Sequence, residues 1–229
     1  MRTARRAAFN LFVALTLPLA ALAQGTAPAT SGASGQSTAG RTAKVEPIGI
    51  APAAIQDMVG HWGIARTENV VAPDFQPDFE AEHGAGLRRL EAKRIQRDTS
   101  TQCVPSGMPG MMAADFWIEA NSETMTILSG HNAHIRFIWL RDRAHPAENL
   151  LFPSWGGDAI SHREGDTLVV DTIGIEAKSE IAYRIRLKDP QIHVVERFRQ
   201  PSPNTLEITT TLDSPMALRK GWTYRTEYR

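Results

Sequence analysis

From Phe116 onward the chain is a series of short runs rich in β-branched and aromatic residues, broken by turn chemistry about every ten residues. That spacing predicts antiparallel β structure, a sandwich or a barrel. Residues 124–129 and 134–140 flank Gly130-His131-Asn132-Ala133, and residues 159–163 and 167–172 flank Glu164-Gly165-Asp166. Both pairs read as hairpins. Residues 192–199 and 205–212 make a third around Gln200-Pro201-Ser202-Pro203-Asn204, whose prolines cannot donate to a ladder and are expected outside it. The last run sets Trp222, Tyr224, Thr226 and Tyr228 against Thr223, Arg225, Glu227 and Arg229, a one-face-in pattern. Gly60-His61-Trp62-Gly63-Ile64 reads as an opening strand. The one helical candidate spans residues 77–97, with Pro77 suited to a first turn and Phe79, Leu87, Leu90 and Ile95 on a thin apolar stripe. Gly84 and Gly86 weaken its first half, so the helix is expected over 87–97.

Composition bounds the rest. A chain of 229 residues, 42% hydrophobic and 22% charged with one Cys, is one ordinary globular domain and excludes a disulfide scaffold. Lys plus Arg and Asp plus Glu each total 25, with no long basic block, so nucleic acid is not an expected partner. Residues 1–23 open with Arg2, Arg5 and Arg6, continue through an apolar run over 11–19 and end in Ala21-Leu22-Ala23. That is the layout of a signal peptide on the general secretory route, too short in its apolar part to span a bilayer, with cleavage expected after Ala23. Removal of the three Arg leaves a mildly acidic protein of net charge about −3, periplasmic or secreted, with no Cys at the cleavage site to carry a lipid anchor. Residues 24–47, nearly all small or polar around Gly, Ala, Ser, Thr and Pro, are expected to be a disordered linker, and 48–229 a single β-barrel domain. Cys103 has no base near it in sequence and is expected to be a small buried residue.

Three runs taken together resemble a large family of secreted bacterial proteins: Cys103-Val104-Pro105-Ser106-Gly107-Met108-Pro109, Arg163-Glu164-Gly165-Asp166-Thr167-Leu168-Val169-Val170-Asp171-Thr172-Ile173-Gly174, and His193-Val194-Val195-Glu196-Arg197-Phe198. The similarity spans roughly residues 87–229, including Arg143-x-His145-Pro146 and Trp155. Two positions depart from the family pattern: Ile175 stands where an aromatic is usual, and a His before the last motif is replaced within residues 187–190. The resemblance implies a lipocalin-type barrel and brings no activity with it. The Gly-x-Trp at residues 60–62 resembles the first strand of such barrels, where Trp62 would close the bottom of the cavity; the alternative is a core Trp. The expected fold is therefore mainly β, an antiparallel lipocalin-like (calycin-type) barrel with one short helix.

Side chains alternate along a strand, so Glu196 shares a face with Ile192, Val194 and Phe198 and is expected inside the barrel. His134 and Arg136 share a face with Ile138 and Leu140, opposite Ile135, Phe137 and Trp139, and either face could be the core. Asp171 shares a face with Thr167 and Val169, again with either side open to burial. Should the polar faces point inward, His134, Arg136, Glu196 and Asp171 converge as candidate catalytic residues; otherwise Arg136 and a carboxylate form a buried ion pair without chemistry. His131 and His134, three apart on a strand, point to opposite faces, so no metal is expected. Candidate ligand contacts are Trp62, Met108 in a Met-rich loop that also suits core filling, Trp155 beside Asp158, His145 at a barrel mouth, and Phe198. No Gly-x-Gly-x-x-Gly, Walker loop, Gly-x-Ser-x-Gly elbow or Cys cluster calls for a cofactor. Two functions follow: an exported barrel that binds a small, mostly apolar or aromatic molecule, or a cofactor-independent lyase, isomerase or hydratase acting on one.

Overall fold

The computed structural model describes residues 49–229, apart from 69–70, 93–103, 131–132 and 183–184. The expected signal peptide and linker, residues 93–97 of the expected helix, Cys103 and His131 lie outside the described residues. Ten strands form one sheet: β1 (Gly60–Trp62), β2 (Ile64–Glu68), β3 (Phe116–Ala120), β4 (Thr124–Ser129), β5 (Ile135–Trp139), β6 (Asp158–Glu164), β7 (Thr167–Ile173), and, after a separate pair β8 (Glu180–Ala182) and β9 (Ile185–Arg186), β10 (His193–Ser202), β11 (Thr205–Asp213) and β12 (Trp222–Tyr228). The order across the sheet is β1-β3-β4-β5-β6-β7-β10-β11-β12-β2.

β1 and β2 are one course of chain interrupted at Gly63, whose N–H and C=O each bond Arg229 at 2.8 Å. Because β1 pairs with β3 while β2 pairs with β12, that single course joins the two ends of the sheet into a nearly closed barrel. Closure removes the free edges an open sheet would offer. Counted this way the wall has nine courses, and an odd number of alternating courses can close only if one neighbouring pair runs parallel. That pair is β5–β6, matched at Ile138↔Ala159 and Trp139↔Ile160 and connected by the long crossover of residues 140–157.

Both barrel ends are covered. A short turn of helix, α1 (Ala53–Gln56), buries Ile55 and, just beyond it, Met58, whose carbonyl accepts the Trp62 indole N–H at 2.8 Å. Trp62 is thus packed in the core beneath α1, 5% exposed. At the other end the loop of residues 104–112 sinks Met108, Met111 and Met112 into the core. It is tied to the crossover by Met108 N–H donating to the Trp155 carbonyl at 2.9 Å, and to β4 by Ser129 Oγ donating to the Met111 carbonyl at 2.9 Å. On the outer wall, Glu164 of β6 pairs with Arg197 of β10 across β7, and Asp166 of the β6–β7 turn pairs with Arg199 of β10, and these guanidinium groups hold both carboxyls below the usual range. Pairs this exposed add little stability each.

Two local expectations are corrected. The helix α2 spans Pro77–Ala92, so it begins in the half that the glycines were expected to weaken. Docking overrides propensity there: Phe75 bridges Leu218, the Phe75 and Phe79 rings stand 5.1 Å apart, and Gln76 N–H donates to the Ala217 carbonyl at 2.8 Å. Asp78 and Glu80 also favour a helix start. A Cβ at Gly86 would meet nothing within 4 Å, so Gly86→Ala is expected to raise stability by about 0.5–1 kcal/mol, read as a higher urea midpoint. The second correction is at β10, which runs through Pro201 to Ser202. A register shift between Arg199 and Ser202 forms a bulge, and a bulged residue needs no ladder donor, which is why proline fits inside the strand.

Candidate functional site

Registers fix which faces look inward. On β5 the polar face does: Arg136 is 1% exposed and Ile138 fully buried, while Ile135, Phe137 and Trp139 lie outside at 49%, 57% and 36%. Opposite Arg136 stands buried Ile127 of β4, so the inward assignment is consistent across the pair. On β10 Val194, Glu196 and Phe198 are all buried, and Glu196 is flanked by Val170 of β7 and Thr210 of β11.

The two inward charges meet in the barrel. Arg136 Nη2 lies 2.6 Å from Glu196 Oε2, both side chains fully buried, and it also donates to Thr172 Oγ1 at 2.8 Å. Nε and Nη1 of Arg136 and Oε1 of Glu196 have no hydrogen-bond partner in the protein, and the 2.6 Å contact at Oε2 lacks hydrogen-bond alignment. Gly156 of the crossover packs its backbone over the stem of Arg136: a Cβ there would sit 3.6 Å from Arg136 Cγ.

Around the pair are hydroxyls and phenols that the sequence reading did not single out. Burial, and then the negative charge of Glu196, pushes the Tyr224 phenol far up, while a hydrogen bond with Thr210 pulls slightly the other way. The Tyr228 phenol is raised by burial and by Tyr224 and Glu196, and it donates to the Met112 carbonyl at 2.7 Å. The inward alternation of Trp222, Tyr224, Thr226 and Tyr228 was legible; that it faces Glu196 depends on the β10–β11–β12 register.

His134 is half-buried just before β5, and its Nδ1 is buried without a partner. Burial first, and the Arg136 charge second, hold its imidazole below the ordinary value, so it favours the neutral form. The unfolded chain then binds more protons near pH 6, and the stability tied to this group is present above about 6.5 and lost as pH falls from there. Urea midpoints measured from pH 8 to 5 are expected to fall less in His134→Asn than in the parent; equal slopes would show that His134 does not resist protonation.

Three candidates lie elsewhere. Because Val170, Thr172 and Ala159 face inward, Asp171 and Asp158 necessarily face out, and Asp171 does not join Arg136 and Glu196. Asp158 pairs with Arg143 and with His145 Nδ1 at 2.7 Å; His145 Nε2 lies 3.4 Å from Asp171, which takes His193 Nε2 at 2.7 Å. This polar chain fastens the crossover to the outer wall, so His145 and Asp158 are outer-wall residues rather than residues of a mouth. Residues of three motifs quoted above, Arg143, His145, Asp171 and His193, meet in it, and His193 was not anticipated. Met108 and Phe198 are fully buried core side chains, and Trp155, part-buried, leans on the bend at Gly107. Among the described residues no group of three or more His, Cys, Asp or Glu side chains is arranged to hold a metal ion. Compared with known proteins, the chain matches no family model, and no curated protein and no solved structure is significantly similar to it.

Proposed function

We propose that this is an exported barrel protein that binds a small, mostly apolar or aromatic molecule, holding the ligand's one polar group at Arg136 and Glu196. The observation that carries the reading is the set of unpartnered polar atoms on two fully buried, charged side chains. Buried donors and acceptors are almost always satisfied, and one left without a partner costs about 1–3 kcal/mol, more when charged. A ligand oxygen or nitrogen that completes them recovers that cost, while Ile138, Val170, Val194 and Phe198 nearby supply apolar surface. The signal-like residues 1–23 support export.

The test is calorimetric titration and thermal melting of the mature protein with 2-naphthol and 2-naphthamide. Binding that raises the melting temperature in the parent and is lost in Arg136→Met is the expected result; at a ligand concentration of 100 Kd the gain is about 2.7 kcal/mol. No shift with either probe would remove the reading. Recovery of the protein from the periplasm with Gln24 at its N-terminus tests export.

A second reading, acid–base catalysis, is favoured by His134: an imidazole with a buried, unpartnered Nδ1, which burial and the charge of Arg136 hold toward its neutral form. Such a base beside such a cation suits proton abstraction next to a carbonyl. Exchange of the methyl protons of 2-acetylnaphthalene in heavy water, abolished in His134→Asn, would establish it.

A further inference from the structure

Resting on the interior binding reading, the charge balance at Arg136 says more about the ligand. Arg136 is the only buried cation among the described residues. Its charge is already matched by Glu196 at 2.6 Å, so the pair as a unit is neutral. Burial and the Arg136 charge both lower the proton affinity of half-buried His134, which works against a second positive charge there. The other buried acids are committed elsewhere: Asp189 accepts from Ser214 Oγ at 2.6 Å and from the backbone of Gln191 and Met216, Glu180 faces Arg186, and Glu227 lies between Arg66 and Arg229.

A carboxylate or phosphate brought to Arg136 would therefore place a second anion beside Glu196 with one cation between them, in surroundings that screen poorly. The unpartnered atoms are of both kinds. Nε–H and Nη1–H of Arg136 are donors seeking an acceptor, and Oε1 of Glu196 is an acceptor seeking a donor. A neutral group carrying both, such as a primary amide, a phenol or an alcohol, satisfies the two sides at once.

We infer that the interior site selects uncharged ligands bearing a paired hydrogen-bond acceptor and donor and rejects their carboxylate counterparts, with Glu196 as the residue that sets the choice. Glu196 acts as a specificity determinant by repulsion as much as by attraction. Removing its charge while keeping its shape frees Arg136 to pair with an anion.

The experiment uses two isosteric pairs, benzamide with benzoate and 2-naphthamide with 2-naphthoate, titrated calorimetrically at pH 7.5 into the mature protein and into Glu196→Gln. The parent is expected to bind each amide at least about tenfold more tightly than its acid, and the variant to reverse that order. A parent that binds the acids as well as or better than the amides overturns the inference and leaves interior binding standing, as does a preference for amides that Glu196→Gln does not change. The parent's preference is read without any variant, so the test holds even if Glu196→Gln does not fold. Failure of all four compounds to bind either protein overturns the inference together with the reading on which it rests.

Discussion

Glu196→Ala is expected to destabilise the protein by about 3–5 kcal/mol, and Arg136→Ala by a similar amount, because each leaves the other charge buried without its counter-ion. Both groups are fully buried, so water cannot screen the orphan in the native state. For a domain of this size that corresponds to a fall in melting temperature of roughly 6–20 °C. Arg136→Met combined with Glu196→Leu is expected to recover most or all of the loss, since apolar replacement of a buried pair is often neutral or stabilising. The double variant separates the two roles of the pair: its stability returns while binding of 2-naphthamide does not. Single variants that melt within about 1 °C of the parent would mean that the charges are not buried together.

The second large effect is expected at Gly157. Its φ is +68°, and a Cβ would stand 2.5 Å from Thr172 Cγ2, 2.8 Å from the Ile173 carbonyl and 2.9 Å from Ile175 Cγ1. Gly157→Ala combines a left-handed backbone penalty of about 1–2 kcal/mol with overpacking of about 1–3 kcal/mol, together about 2–5 kcal/mol. The displaced residue is Thr172, the hydroxyl partner of Arg136, so ligand affinity is expected to fall along with stability. Gly165 is the control. Its φ of +63° is similar but a Cβ would meet nothing within 4 Å, so Gly165→Ala carries the backbone penalty alone and leaves binding unchanged. Equal losses in the two variants would contradict the packing around the crossover.

Much of the architecture was legible. The three hairpins and the last strand follow from alternation and turn residues, which are local, and the opening strand at Gly60–Trp62 was also marked in the sequence. The inward position of Glu196 followed from period two along a run whose other members are Ile192, Val194 and Phe198. β5 could not be read in the same way, because one of its faces is wholly apolar (Ile135, Phe137, Trp139) and the other sets Ile138 and Leu140 beside His134 and Arg136. The chain buries Arg136 and exposes Phe137 and Trp139, the reverse of what hydrophobicity alone prefers. What decides it is nonlocal: β4 offers Met125 and Ile127 on one face and Thr124, Thr126 and Leu128 on the other, and the register sets Ile127 against Arg136. The direction of Asp171 stayed open, and Asp158 and His145 were placed only as candidate ligand contacts, for the same reason. Their outward direction depends on Thr172 and Ala159 facing in, and their meeting depends on a crossover whose course no local pattern specifies. At α2, tertiary contacts of Phe75, Phe79 and Leu218 outweighed two glycines that propensity counted against it.

Under the proposed function, the buried Arg136 guanidinium inside the wall is available to a small molecule. The most direct measurement of that availability is the side-chain Nε–H resonance of Arg136 in 15N-labelled protein, assigned by its disappearance in Arg136→Lys, followed during titration with 2-naphthamide. A resonance protected from solvent exchange that moves saturably as the probe binds is the expected result. An Arg136 signal that exchanges like those of surface arginines, or one that stays in place at saturating probe, would contradict it.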